Sequence, residues 1–146
     1  RYLISNELEK LNLTPIKILD KKSSVDDNVN IGKGSHVMRG ALVNSFSKVG
    51  NYTILNTSSN IEHECIIGNG VHIMSNATLG GRVIVEDYVT IGMNATIFPD
   101  VKIGEGAFVG AGSVVRKNVK KNEVVIGNPS KYLKKNRHFF DLSFFK

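Results

Sequence analysis

Beginning at Val25 and stepping by six, the chain places Val, Ile or Leu at sixteen consecutive positions: Val25, Ile31, Val37, Val43, Val49, Leu55, Ile61, Ile67, Ile73, Leu79, Val85, Ile91, Ile97, Ile103, Val109 and Val115. No insertion breaks the frame. Four residues after each stands a small or β-branched side chain, from Val29 and Ser35 through Cys65 and Ala77 to Ser113 and Val119. The residue just after the aliphatic is often glycine, as at Gly32, Gly50, Gly68, Gly80, Gly92, Gly104 and Gly110.

A helix has no use for a period of six. At 100° per residue the apolar side chain walks around the cylinder and makes no face. Short strands joined by tight turns do use it: one aliphatic points inward per strand, a small residue fills the corner, and glycine supplies turn dihedrals closed to other residues. Each rung buries its aliphatics only against the rungs above and below, so stacking stabilises the whole. The expected fold is all-β, a parallel β-helix over residues 25–128. An evenly spaced β-sandwich would need hairpin turns and period-2 alternation, which sixteen in-frame repeats do not provide.

The flanks read differently. In the N-terminal flank, 1–24, Ser5 to Leu11 suits a short helix with Ser5 or Asn6 as cap. Pro15 ends it, and Ile16 to Leu19 leads in extended form to the first coil. In the C-terminal tail, 129–146, Ser130 to Arg137 reads as a basic helix, and Phe139, Phe140, Phe144 and Phe145 need a surface to pack on. The chain begins at Arg1, so a fragment of a longer product is expected.

The net charge of +6 gathers at one end. Residues 1–114 carry ten Lys/Arg against eleven Asp/Glu, whereas residues 115–146 carry nine against two. Such a cluster suits a polyanion or plain solvation. Aromatics do not interleave with these cations, which speaks against nucleic acid. No apolar run reaches the length of a membrane span, no signal peptide opens the chain, and no membrane association is expected. The single Cys65 excludes an internal disulfide and fits a reducing cytoplasm.

The repeat resembles the left-handed β-helix of hexapeptide acyltransferases, with three hexapeptides per triangular coil and short flanking helices. One segment narrows the likeness: Asn56 through Ile61-Glu62-His63-Glu64 to Gly68, then His72-Ile73 and Leu79-Gly80-Gly81. It is similar to the sugar O- and N-acetyltransferases, including sialic acid O-acetyltransferases and N-acetyltransferases of nucleotide-linked 4-amino sugars. Gly127-Asn-Pro129-Ser-Lys131 is similar to the closing motif common in hexapeptide acyltransferases. The resemblance implies acetyl-CoA as co-substrate, no metal, and a homotrimer with the coenzyme in the groove between neighbouring β-helices. N-acetylation of a nucleotide-linked 4-amino sugar is the leading acceptor chemistry, and O-acetylation of a sialic or other sugar is the alternative. Related enzymes hold the nucleotide sugar in an N-terminal βαβ domain, of which Arg1 to Leu19 would be the last remnant.

Acetyl transfer needs a base, donors for the oxyanion and a groove for the coenzyme. An unperturbed histidine is largely neutral near pH 7 and is the natural base. Of His36, His63, His72 and His138, only His63 stands between two carboxylates, Glu62 and Glu64. It is the third residue of its hexapeptide, outside both inward registers. One coil away in either direction stand Ser45 and Gly81, which leaves room for a substrate. The resemblance assigns His63 as general base and Glu64 as the carboxylate that holds its ring. It assigns His72 and Gly81, through its N–H, to the acetyl carbonyl. Met93 and Ala111 would line the pantetheine groove, Asn56 would sit near the acceptor sugar, and Lys131 would meet the coenzyme phosphates, with Lys120 a further candidate. His36 reads as an exposed turn residue and Cys65 as core. A γ-type carbonic anhydrase would need three zinc histidines at a spacing this chain lacks, and a non-catalytic scaffold would need no histidine at all.

Overall fold

Two-residue strands and four-residue corners alternate from Ile18–Leu19 to Val114–Val115. In this computed structural model, which describes residues 7–8 and 10–136, each hexapeptide gives one strand whose second residue is the aliphatic of the frame. Three strands close an 18-residue coil, so every strand pairs in parallel with its equivalent one coil away. His72 lies opposite Ile54 and Thr90, Thr78 opposite Asn60 and Thr96, and Ile84 opposite Ile66 and Lys102. The fold is a left-handed parallel β-helix of three faces. Face I holds Ile18–Leu19, His36–Val37, Ile54–Leu55, His72–Ile73, Thr90–Ile91 and Phe108–Val109, and Glu123–Ile126 extends it. Face II runs from Ser24–Val25 to Val114–Val115, and face III from Asn30–Ile31 to Lys102–Ile103.

The two inward registers form the core. Every frame aliphatic from Ile31 to Val115 is buried, as is every corner residue from Ser35 to Val119. Except at Ser59, whose Oγ has no hydrogen-bond partner among the described residues, buried corner hydroxyls find partners on the next coil: Ser35 Oγ donates to the Gly50 carbonyl at 2.7 Å and accepts the Thr53 N–H at 3.0 Å. Ser47 repeats the arrangement between the Glu62 carbonyl and the Cys65 N–H. Cys65 donates its thiol to the Gly80 carbonyl at 3.2 Å, and burial pushes that thiol up to about 11. It is a core residue.

The turn chemistry differs from the sequence expectation. The left-handed conformation falls three residues after the aliphatic, at every sixth position from Gly34 to Gly112. Glycine fills it at Gly34, Gly40, Gly70, Gly106 and Gly112; elsewhere it holds Asn, Asp, Ser, Tyr, Phe, Arg and Glu, with no β-branched residue. The glycines that directly follow the aliphatics have no positive φ. They answer a different need, since a Cβ on Gly50 would come within 2.6 Å of the Gly68 backbone and one on Gly92 within 2.5 Å of Ala111 N. Close approach of coils, not backbone freedom, selects glycine there.

At the N-terminal flank, Glu7, Leu8 and Lys10 are helical, and the Leu11 N–H donates to the Glu7 and Leu8 carbonyls. The proposed caps Ser5 and Asn6 lie outside the described residues. The basic helix expected from Ser130 to Arg137 is not formed: Lys131–Lys135 is a strand antiparallel to Glu123–Ile126. Glu123–Ile126 is the last parallel strand of its sheet and leaves a row of backbone groups without partners. Gly127, at φ 98, helps reverse the chain onto that row. The gain in pairing outweighs intrinsic helix propensity, which tertiary context overrides even for a good helix former such as lysine. Arg137, His138, the four tail phenylalanines and Lys146 lie outside the described residues.

Candidate active site

The edge between faces II and III carries the corners 62–65, 80–83, 98–101 and 116–119, stacked coil on coil. His63 occupies a turn position on this edge, and Glu64 takes the left-handed position with φ 59. That conformation accompanies a contact between adjacent side chains, with His63 Nδ1 2.9 Å from Glu64 Oε2. A carboxylate at Nδ1 holds the proton there and leaves Nε2 as the acceptor. The two side chains are 47% and 53% exposed, so the pair is open to solutes.

The imidazole lies over Gly81, one coil on. A Cβ at Gly81 would fall 2.5 Å from His63 Nε2 and 2.6 Å from Cε1. The Gly81 carbonyl accepts the Asp100 N–H at 3.0 Å, but its own N–H makes no hydrogen bond among the described residues. Gly81 is buried beneath the ring, and a buried N–H without a partner is rare enough to call for an explanation. Glu62 is half-buried on the other side, where Asn44 Nδ2 donates to its Oε2 at 3.0 Å.

Sequence reasoning missed two neighbours. Arg82 donates from its backbone N–H to the His63 carbonyl at 2.9 Å. Its guanidinium grips Asp100 in a fork, Nε to Oδ1 at 2.7 Å and a terminal nitrogen to Oδ2 at 2.9 Å. The Arg82 hydrogen bond holds the Asp100 carboxyl below its ordinary value, and attraction to His63 adds to this. The signal was available: residues 82 and 100 share one turn position a single coil apart.

The remaining candidates lie elsewhere. His72 is the outward residue of its strand on face I, with Nε2 3.2 Å from Asn56 Nδ2. Met93 and Ala111 share a turn position on the edge between faces I and II, where the Gly112 N–H donates to the Met93 carbonyl and the Met93 side chain is 52% exposed. Lys131 lines a cavity of 370 Å³ with Arg116, Lys117, Pro129 and Ser130. Lys117 stands at the His63 turn position three coils further along the same edge, about 14 Å away at the spacing of paired strands. Lys120 lies on the corner between faces III and I.

The chain thus brings His63, Glu64 and Gly81 together, and separately Asn56 and His72. It does not bring His72 to Gly81. Face I is the side of the triangle opposite the edge that carries His63. Among the described residues no three His, Cys, Asp or Glu side chains are grouped to hold a metal, and no helix is long and apolar enough to cross a membrane.

Comparison with known proteins agrees with the fold. The model for the bacterial transferase hexapeptide, six repeats, matches residues 64–99 and 82–117. No curated protein matches the sequence. Among solved structures, the acetyltransferase domain of PglB from Neisseria gonorrhoeae shares 29% identity over 91% of this chain and 65% of its own, with a TM-score of 0.90. A variant of GDP-perosamine N-acetyl transferase from Caulobacter crescentus, in complex with CoA and GDP-perosamine, shares 26% over 92% of this chain and 64% of its own, with a TM-score of 0.89. The N-acyltransferase AntD from Bacillus cereus, solved with dTDP and 3-hydroxybutyryl-CoA, has the same fold at 21% identity, covering 91% of this chain and 88% of its own, with a TM-score of 0.77. The chain spans about two-thirds of the length of the first two. The chain has a repeat of six residues and the left-handed β-helix of these solved acyltransferases.

Proposed function

We propose that the chain is the catalytic β-helix of an acetyl-CoA-dependent acetyltransferase that N-acetylates the amine of a nucleotide-linked 4-amino sugar in the cytoplasm. One observation carries the reading: His63 has Nδ1 engaged by Glu64 and Nε2 poised over Gly81, whose N–H has no partner among the described residues. Two of the similar structures are N-acyl or N-acetyl transferases solved with a nucleotide or nucleotide sugar, which favours the amine over the hydroxyl.

In this reading Nε2 takes the proton as the acceptor amine attacks the thioester carbonyl, and Glu64 stabilises the imidazolium formed. The Gly81 N–H meets the oxygen on which negative charge develops. Collapse of the tetrahedral intermediate breaks the carbon–sulfur bond, and His63 returns its proton to the departing thiolate. The bare backbone at Gly81 suits close approach of the thioester, and Met93 and Ala111 suit the wall of a pantetheine groove. The cavity of Lys131, Arg116 and Lys117 suits phosphates at the far end, and Asn56 suits the sugar.

The opposition of His72 to the His63 edge gives the oligomer its role. His72 acts on the same acetyl group only if face I of one copy meets the II/III edge of another, as closed three-fold symmetry allows. The active unit is therefore a homotrimer with sites between copies. Thiol release from acetyl-CoA over a panel of amino sugars and alcohols, with wild type and His63→Ala, tests the proposal. Acetylation that survives His63→Ala unchanged overturns it.

A further inference from the structure

Along the edge between faces II and III the left-handed turn position recurs every eighteen residues, and successive coils place Phe46, Glu64, Arg82 and Asp100 there. The last three alternate in charge. Successive coils lie about 4.8 Å apart, the spacing of paired strands, so the Arg82 guanidinium has a carboxylate one coil away on either side. It takes one of them. Nε and a terminal nitrogen both go to Asp100, at 2.7 and 2.9 Å, and Glu64 is left to His63 Nδ1 at 2.9 Å.

The backbone holds this column in register. The Arg82 N–H donates to the His63 carbonyl at 2.9 Å, and the Asp100 N–H to the Gly81 carbonyl at 3.0 Å. What can change is the direction of the Arg82 side chain. The Asp100 hydrogen bond chiefly, then the charges of Asp100 and Glu64, push its guanidinium above the ordinary value, so Glu64 attracts it even in the observed pose. Glu62, the other carboxylate beside His63, is held apart by Asn44 Nδ2 at 3.0 Å and Asn60 Nδ2 at 3.3 Å. A guanidinium is always charged and donates from two parallel N–H groups, which makes it a stronger partner for a carboxylate than a neutral imidazole. Without Asp100, the nearest carboxylate for Arg82 is the one that holds His63.

We propose that Asp100 is a positioning residue for His63: by occupying the Arg82 fork it keeps the guanidinium off Glu64, and so keeps Glu64 on Nδ1 and Nε2 free to accept a proton. The inference rests on the acetyltransferase reading and extends it to a residue two coils from the base. Asp100 touches no reacting atom. It gives a duty in catalysis to a solvated ion pair of a kind that contributes little to stability.

The test compares wild type, Asp100→Gly, Asp100→Glu and the double variant Arg82→Gly/Asp100→Gly by nitrogen NMR of the His63 ring and by steady-state kinetics. Glycine suits both positions, as Gly70 and Gly106 show at the same place in other turns. In wild type the ring should carry its proton on Nδ1. Asp100→Gly should move that proton largely to Nε2 and lower kcat by roughly ten- to a hundredfold, part of what a positioned base contributes. The acetyl-CoA KM should stay within about twofold. Asp100→Glu should keep the wild-type tautomer, and removing Arg82 as well should bring it back together with most of kcat. An unchanged tautomer in Asp100→Gly overturns the assignment, as does a defect that persists undiminished in the double variant. The expected tautomer changes in a protein that acetylates no acceptor would instead sink the transferase reading and leave the charge column standing.

Discussion

His63 and Gly81, one coil apart, share a space that exists only because residue 81 has no side chain: a Cβ there would fall 2.5 Å from Nε2. Gly81 has no positive φ, so alanine suits its backbone and conflicts only with the ring. Gly81→Ala should lower kcat by roughly a hundredfold, the effect of displacing a base by about an ångström. Thermal unfolding should move little. A large loss of stability with kcat retained would show that the contact is structural.

Two inactive variants should complement each other. If His63 and His72 act on one acetyl group from different copies, mixed trimers of His63→Ala and His72→Ala contain sites with both histidines. Equal mixing and reassembly should restore about a quarter of wild-type activity, the random share of intact pairs in a closed ring. No recovery, with mixed trimers verified by mass spectrometry, would place both histidines on separate tasks.

Cys65 should resist thiol reagents in the native protein. Its thiol rises from an ordinary 9.0 to about 11 through burial. A raised value means that the folded state favours the neutral thiol. This contribution to stability is complete below 9.0 and falls away as pH rises between 9.0 and about 11. Reaction with a disulfide reagent at pH 8 should appear only with global unfolding; fast labelling of folded protein would contradict the burial.

Arg82→Ala should release Asp100. The carboxyl is held low chiefly by the Arg82 hydrogen bond, so its titration, followed by carboxyl NMR, should move up toward 3.8. A lowered value stabilises the fold above the unfolded value and loses that contribution as pH falls through the folded one. The variant should therefore show a weaker acid dependence of stability, with little change at pH 7, because both groups are solvated. An unmoved Asp100 titration would refute the pairing in solution.

A charge in mid-stack should be ruinous. Ile91→Asp forfeits about 1.5–3 kcal/mol of side-chain burial and adds an unpaired charge among coils. Circular dichroism should show loss of the cooperative transition, whereas Thr90→Asp, on the outer surface of the same strand, should fold. Equal stability of the two would contradict the inward register.

The periodicity made the architecture readable because one physical rule, an aliphatic inward every sixth residue, repeats without interruption from Val25 to Val115. The same frame, used at a spacing of eighteen, puts Gly81 one coil from His63; it reads the gap as room for a substrate, whereas the imidazole itself lies over Gly81. It mistook the role of the glycines, since close approach between coils and a left-handed turn both favour that residue and only coordinates separate them. The strand at Lys131–Lys135 was illegible for another reason: its partner is a sheet edge, and local preference carries no record of distant unpaired groups. The split between His72 and Gly81 follows from counting corners, but its meaning requires a second copy, which one chain does not display.

A tower of identical floors has no natural top, and each newly completed storey invites the next, whether from its own chain or from a stranger's. The reversal at Lys131–Lys135 gives this tower a roof on face I: the final strand runs against the grain of those beneath and presents three lysines along it. Removing it would leave molecules free to join end to end as filaments.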